Sequence, residues 1–260
     1  MSSSDGPIGV FDSGVGGLAV LWALHARLPH EHLRYFADQA NFPYGPRPAD
    51  EVRDLALQAG QRLVAAGAKL LVVACNTASS AALPALREQF SVPVVGIEPA
   101  VKPACAASRN GRIGVLATAG TAQGAALTAL VSRVADGAAV MRAPAPDLVE
   151  LVERGDVDSA EAQARVTAAL RPLRAAGVDV VVLGCTHFAL LKPLVQAVLG
   201  PRVLVLEPAD AVARQTARVL CERGLERPGR EPGAIVYTSS AGEAHLLRQV
   251  ELLSGGVLCR

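Results

Sequence analysis

Two stretches of this chain repeat one another, and the repeat constrains the fold more than any other feature. LLVVACNTASSAALPALREQFSVPVVGIEPA, beginning at Leu70, and VVVLGCTHFALLKPLVQAVLGPRVLVLEPA, beginning at Val180, share an apolar run that ends in Cys, a Thr within two residues, and a Pro eight or nine residues past the Cys. Both then continue into a second apolar run and a closing Glu-Pro-Ala. The openings match as well, since GPIGVFDSGVGG from Gly6 and GRIGVLATAGTA from Gly111 share Ile-Gly-Val. LLVVAC and VDVVVLGC are apolar throughout rather than alternating, as a parallel strand buried on both faces requires.

Short apolar runs alternate with longer stretches of helical periodicity. The runs predict strands at Ile8 to Phe11, Leu33 to Ala37, Leu70 to Ala74, Val94 to Ile97, Arg112 to Leu116, Ala139 to Arg142, Val178 to Gly184, Val203 to Leu206 and Ala234 to Tyr237. Helices fall between most of them, the first near Gly17 to Leu28. The expected class is α/β: two similar lobes, each a parallel sheet flanked by helices, related by a pseudo-two-fold with the active site between them. The first lobe is expected over 1-98 plus 211-260 and the second over 99-210, because the repeat is complete by Ala209.

Composition narrows the function. With 51% hydrophobic residues and a formal charge of +1, the chain is globular and carries no basic stripe for nucleic acid or basic amphipathic helix for a membrane. Its start, MSSSDGPIGV, lacks the charged opening and apolar core of a signal peptide, and no apolar run approaches a bilayer span. The expectation is a cytoplasmic protein with a small-molecule partner; a homodimer is an assembly open to it. Cys75, Cys105, Cys185, Cys221 and Cys259 have no paired spacing, which points to reduced thiols rather than a disulfide framework.

Ligands of open parallel sheets bind beyond the carboxyl ends of strands. That rule selects Asp12 and Ser13, then Asp38, then Cys75, Asn76 and Thr77, and in the second lobe Cys185, Thr186 and His187. Moving the α-proton of an amino acid from one face to the other needs two acid/base groups on opposite sides of one carbon, and a pseudo-symmetric pair of thiols supplies them. Each Cys precedes an expected helix, whose amino end favours an anion. Asp12 beside a thiolate would make it a stronger base, while His187 would pair with Cys185 or donate a proton.

Taken singly these residues also admit ordinary roles. A strand-end Cys is commonly core filler, Asp12 suits a helix cap, Gly14, Gly16 and Gly17 suit a turn, and His187 suits a satisfied core position. The equivalence of the two cysteines is what favours chemistry. DSGVGG lacks the ending of a phosphate loop and the spacing of a dinucleotide fingerprint. Cys185 and His187 have no second pair at zinc-site spacing, so no metal is expected. Of the three lysines, Lys69 precedes a strand and Lys102 and Lys192 adjoin prolines in expected surface turns, so no Schiff-base cofactor is expected either.

The chain resembles the glutamate racemases of the aspartate/glutamate racemase superfamily. The resemblance is carried by IGVFDSGVGGLAVL, YFADQANFPYGPRP from Tyr35, VVACNTAS, VELVERG around Glu153, VVLGCTHF, and VYTSSAG from Val236, and spans nearly the whole length. It implies racemisation of glutamate without a cofactor, with Cys75 the base for the D-enantiomer and Cys185 the base for the L-enantiomer. Asp12, Glu153 and His187 would support them, and Asp12, Ser13, Tyr44, Gly45, Asn76, Thr77, Thr186 and His187 would bind the substrate. It implies a place in peptidoglycan synthesis. The chain departs from the common pattern at Phe188 and Ala189, at Ala143 and Pro144, and in the loop ADQANFPYG; Glu150 lies one helical turn from Glu153. An aspartate racemase, a single-thiol decarboxylase or hydrolase, and a non-catalytic binding protein are the competing readings.

Overall fold

The computed structural model describes residues 4-229 and 231-254; Cys259 lies outside them. The strands are β1 (Ile8–Asp12), β2 (Leu33–Ala37), β3 (Leu70–Val73), β4 (Val94–Gly96), β5 (Arg112–Ala117), β6 (Ala139–Pro144), β7 (Val180–Leu183), β8 (Leu204–Leu206) and β9 (Ile235–Ser239). The chain divides into two units, Met1–Ile97 with Ala209–Arg260, and Glu98–Pro208.

The first unit holds a five-stranded sheet in the order β4-β3-β1-β2-β9, the second a four-stranded sheet in the order β6-β5-β7-β8. Every pairing is parallel. Read in the opposite direction, the second order is that of the first without its edge strand. Register repeats too: Ile8 pairs with Leu70 and Ile113 with Val180, the first residues of the two matching segments. Both sheets are therefore built from one strand-and-crossover pattern, with helices on both faces burying β3 and β7 completely.

The repeated Ile-Gly-Val has a packing reason. A Cβ on Gly9 would stand 3.0 Å from the Cβ atoms of Leu63 and Ala68, and one on Gly114 would stand 2.8 Å from Leu173 Cδ1. Leu63 and Leu173 lie on the helices Ala49–Ala65 and Ala160–Ala175, each leading into the strand that ends in Cys. Each glycine lets a leucine seat its helix against the central strand. The face of β1 that carries Gly9 packs a core including Phe11, Leu63, Val73 and Leu86 in the first unit, whereas Ile113, Val115, Leu130 and Val182 gather on the face of β5 opposite Gly114 in the second. Each such side chain, fully buried, contributes roughly 1.5–3 kcal/mol.

Two expectations need correction. The strand expected over Val178 to Gly184 is observed over Val180–Leu183; Asp179, just before it, keeps its backbone in the ladder while its carboxylate accepts hydrogen bonds from Ser108 Oγ (2.6 Å) and the Arg109 amide (2.6 Å). Lys102 and Lys192 stand in the first turns of the helices Val101–Ala107 and Lys192–Leu199 rather than in surface turns. Lys69, the residue before β3, is fully buried and paired with Glu31 at 2.6 Å. It sits at the amino end of its strand, about 20 Å along the chain from Cys75 at the usual rise, so it anchors the sheet floor and is remote from the strand ends.

Among the described residues no helix is long and apolar enough to cross a membrane. Because the atoms meeting Gly9 are Cβ atoms whereas those meeting Gly114 are the tip of a flexible leucine, Gly9→Ala is expected to cost about 1–3 kcal/mol and Gly114→Ala distinctly less. Urea unfolding midpoints of the two variants check this; equal losses would contradict it.

Candidate active site

Each sheet places a cysteine two residues past a strand. The Ala74 amide donates to Phe11 O at 2.9 Å, and the Gly184 amide donates to Leu116 O at 2.8 Å, so the ladder continues just beyond β3 and β7. Cys75 and Cys185 follow, both in extended conformation and both N-caps, of the helices Asn76–Gln89 and Thr186–Leu190. The Cys75 sulfur takes the place of a capping oxygen, accepting the Ala78 amide at 3.5 Å. An N-cap sulfur faces the unpaired amides of the first turn, an arrangement suited to negative charge.

In the first unit, Cys75 Sγ donates to Ser13 Oγ at 3.9 Å, near the outer limit for sulfur, and Ser13 Oγ lies 3.5 Å from Asp12 Oδ1. Asp12 reaches the thiol through this hydroxyl. Its carboxylate also accepts the Gly14 amide at 2.9 Å, a turn-forming bond within the loop. Asp12 is thus no helix cap; Gly17 occupies the N-cap of Leu18–Arg27. Gly17 has an ordinary negative φ of −64°, and its value is space, since a Cβ there would stand 2.7 Å from Asp12 Cβ and 2.9 Å from the Tyr35 hydroxyl. Tyr35 Oη donates to Gly14 O at 2.6 Å and holds the loop from beneath.

Past β2, Asp38 accepts from Tyr44 Oη at 2.6 Å and from Asn41 Nδ2 at 3.0 and 3.1 Å. Burial, the hydrogen bond to Asp38 and the charges of Asp38, Cys75 and Asp12 push the Tyr44 phenol far above its ordinary range, so it stays a neutral donor. Gly45 adjoins it, half-buried. Asn76, only 3% exposed, has neither amide atom hydrogen-bonded. A buried amide beside Cys75 with both ends open is a costly feature, explained if a ligand completes it. Thr77 follows, half-buried on the same helix turn.

In the second unit, His187 lies in the first turn after Cys185. Its Nδ1 is 3.9 Å from Cys185 Sγ and its Nε2 is 2.7 Å from Glu153 Oε1. Glu153 ends the helix Asp147–Glu153, whereas Glu150 is exposed, so Glu153 is the carboxylate that meets the histidine. Burial alone would lower the imidazole pKa; the hydrogen bonds to Cys185 and Glu153 and their charges outweigh it and hold the value well above 6.5. The two partners thus favour the protonated form of His187. Thr186 is buried at the first position of the same helix.

The Asp/Glu/Hydantoin racemase family model matches residues 19–216. The glutamate racemase of Pseudomonas paraeruginosa is 46% identical over 244 residues, covering 94% of this chain and 92% of that protein. The chain belongs to this family, among its glutamate racemases. Solved structures agree: a glutamate racemase isoform from Bacillus anthracis superposes with a TM-score of 0.86 at 31% identity, covering 96% of this chain and 94% of that one. The Escherichia coli glutamate racemase, solved with L-glutamate and the activator UDP-MurNAc-ala, gives a TM-score of 0.85 at 33% identity, covering 96% of this chain and 95% of that one.

Within this family member, the structure joins Asp12, Ser13 and Cys75 in one contact chain, Asp38 and Tyr44 in a second, and Cys185, His187 and Glu153 in a third. Sequence reasoning missed Tyr35 as the support of the Asp12–Gly17 loop and Ser79, whose hydroxyl donates to Val73 O (3.2 Å) and accepts the Ile97 amide (3.1 Å). A signal for Tyr35 existed in the YFADQANFPYG motif, but nothing local says that its hydroxyl meets a loop on another strand. Among the described residues no group of three or more His, Cys, Asp or Glu could hold a metal ion.

His187 gains partners on folding and its pKa rises, so its stabilising contribution is complete below the unfolded value and is lost as pH rises through the higher folded one. Removing the acceptor charge with Glu153→Gln is expected to cost about 2 kcal/mol in mildly acidic solution and progressively less under alkaline conditions. Urea unfolding of both proteins across pH checks the sign; a penalty that grows with pH would refute it.

Proposed function

We propose that the chain interconverts L- and D-glutamate by moving the α-proton between two thiols, with no cofactor. The observation that carries this is the pair of cysteines at equivalent strand ends, each at the N-cap position of a helix and each near a different acid/base group. Family membership supports glutamate as substrate, and the Escherichia coli relative was solved with L-glutamate.

In the proposed reaction the Cys75 thiolate takes the α-proton of D-glutamate, and its electron pair passes into the α-carboxylate. The Cys185 thiol returns a proton to the other face, giving L-glutamate and a Cys185 thiolate; the reverse reaction exchanges the roles. Ser13, Asn76, Thr77 and Thr186, with Tyr44 and Gly45, would bind the substrate, the open amide of Asn76 being the strongest candidate for a carboxylate. Asp12 would act on Cys75 through Ser13 and keep it basic, while the His187 imidazolium, held by Glu153, would supply a positive charge and a proton on the other side. Lys69, buried against Glu31 at the far end of its strand, offers no Schiff-base nitrogen at the strand ends. The reading places the enzyme in the cytoplasm, where thiols stay reduced, and its product in peptidoglycan synthesis. Neither aspartate as substrate nor a purely binding role is favoured.

Incubation with L-glutamate in deuterium oxide without added cofactor should produce D-glutamate carrying α-deuterium, followed by optical rotation and α-proton loss; no exchange would sink the proposal. Cys75→Ser and Cys185→Ser should each lower kcat by more than about a hundredfold, the scale of losing one positioned acid/base group. Near-normal racemisation in either variant would refute the two-thiol assignment.

A further inference from the structure

The motif VYTSSAG at Val236 and the helix Glu243–Ser254 lie outside the repeat, and nothing in the proton-transfer reading uses them. They make a clamp. β9 extends the first sheet beyond β2, in register from Leu33 with Ile235 to Ala37 with Ser239. Side chains add to this pairing: Thr238 Oγ1 donates to Tyr35 O within the strand (2.8 Å), and past its end, beside the Ser240 amide's bond to Ala37 O (3.1 Å), Ser239 Oγ donates to Gln39 Oε1 (2.8 Å) and the Ala40 amide donates to Ser240 Oγ (2.9 Å). Gln39 Nε2 then donates to Oε1 of Gln249, a residue of the following helix that is 4% exposed.

The held segment cannot hold itself. Gln39–Asn41 is a single 3-10 turn with no buried residue and no side-chain cap, so neither core packing nor good helical hydrogen bonding fixes it. Yet Asp38 and Asn41 frame this turn, and Asp38 is the acceptor that aims Tyr44. In the second sheet the equivalent strand β6 is the edge, with no strand beyond it. The extra strand thus accompanies the sheet whose loop carries Tyr44.

We propose that Ser239, Ser240 and Gln249 are positioning residues: the C-terminal strand and helix clamp Gln39 and Ala40, and thereby set Asp38 and the Tyr44 hydroxyl toward the substrate. The proposal rests on the glutamate reading for its kinetic consequence and on hydrogen bonding alone for its structural one.

Two measurements on the full-length protein separate these. In amide hydrogen exchange, Ser240→Ala with Gln249→Leu should speed exchange over residues 39-44 by about tenfold while β1 and the helix Asn76–Gln89 keep their wild-type rates, since local opening need not spread to the sheet. In racemisation assays the same pair should raise KM for glutamate about fivefold, the scale of a lost hydrogen bond, with kcat changed less than about twofold. In a Tyr44→Phe background the pair should add less than about twofold, because it acts through that hydroxyl. Ser240→Thr, which keeps the hydroxyl, and Arg248→Ala, on the exposed side of the same helix, should behave as wild type. If the pair destabilises the whole fold, Ser240→Ala alone should show the same pattern at smaller size. Unchanged exchange over 39-44, or a full KM effect in the Tyr44→Phe background, would overturn the clamp. A wild-type protein that fails to racemise would instead refute the glutamate reading, and the exchange result would still decide the clamp.

Discussion

Everything at the candidate site depends on one backbone hydrogen bond made twice: the amide after β3 to the carbonyl of Phe11, and the amide after β7 to the carbonyl of Leu116. Each carries a parallel ladder one residue beyond its strand and leaves the next residue extended, at the amino end of a helix. A cysteine in that position has its backbone held by the sheet, and in Cys75 the sulfur also accepts a first-turn amide. Rigid elements thereby set where each sulfur sits, more tightly than a loop would.

The two thiols share this support and differ in what lies next to it. Cys75 meets a neutral hydroxyl that connects it to a buried carboxylate, and in the same unit Tyr44 is a phenol kept neutral by burial and by Asp38. Cys185 meets a histidine ring held by Glu153, and these two partners raise the imidazole pKa. A carboxylate and a neutral phenol near one thiol, and a histidine held by a carboxylate near the other, give the two thiols different electrostatic surroundings. The fold repeats while the electrostatics do not.

Much of this was legible before the structure. All nine strands lie within a residue or two of where apolar runs predict them, because a strand buried on both faces leaves an unbroken apolar signature. The two cysteines were legible as a pair through the repeat. Asp12 was less so: as a short polar residue before glycines it reads equally as a helix cap, and only the Gly14 amide and Ser13 hydroxyl show its actual partners. Glu150 and Glu153 share a helix and differ by about one turn, so periodicity alone could not tell which meets His187. Lys69 looked like an ordinary polar residue before a strand, since its partner Glu31 precedes a different one.

Periodicity, repetition and strand-end position established the α/β class, the parallel sheets and the equivalent places of the two cysteines, because each is written in residues close together along the chain. Tertiary structure decided the rest: that Tyr35 supports the Asp12 loop, that Asn76 is buried with an open amide, that Glu153 locks His187, and that Ser239, Ser240 and Gln249 grip the turn after β2. The physical reason is the same in each case. A hydrogen bond between residues far apart in the chain depends on register, burial and side-chain direction, and none of those is set until the strands have paired and the helices have packed.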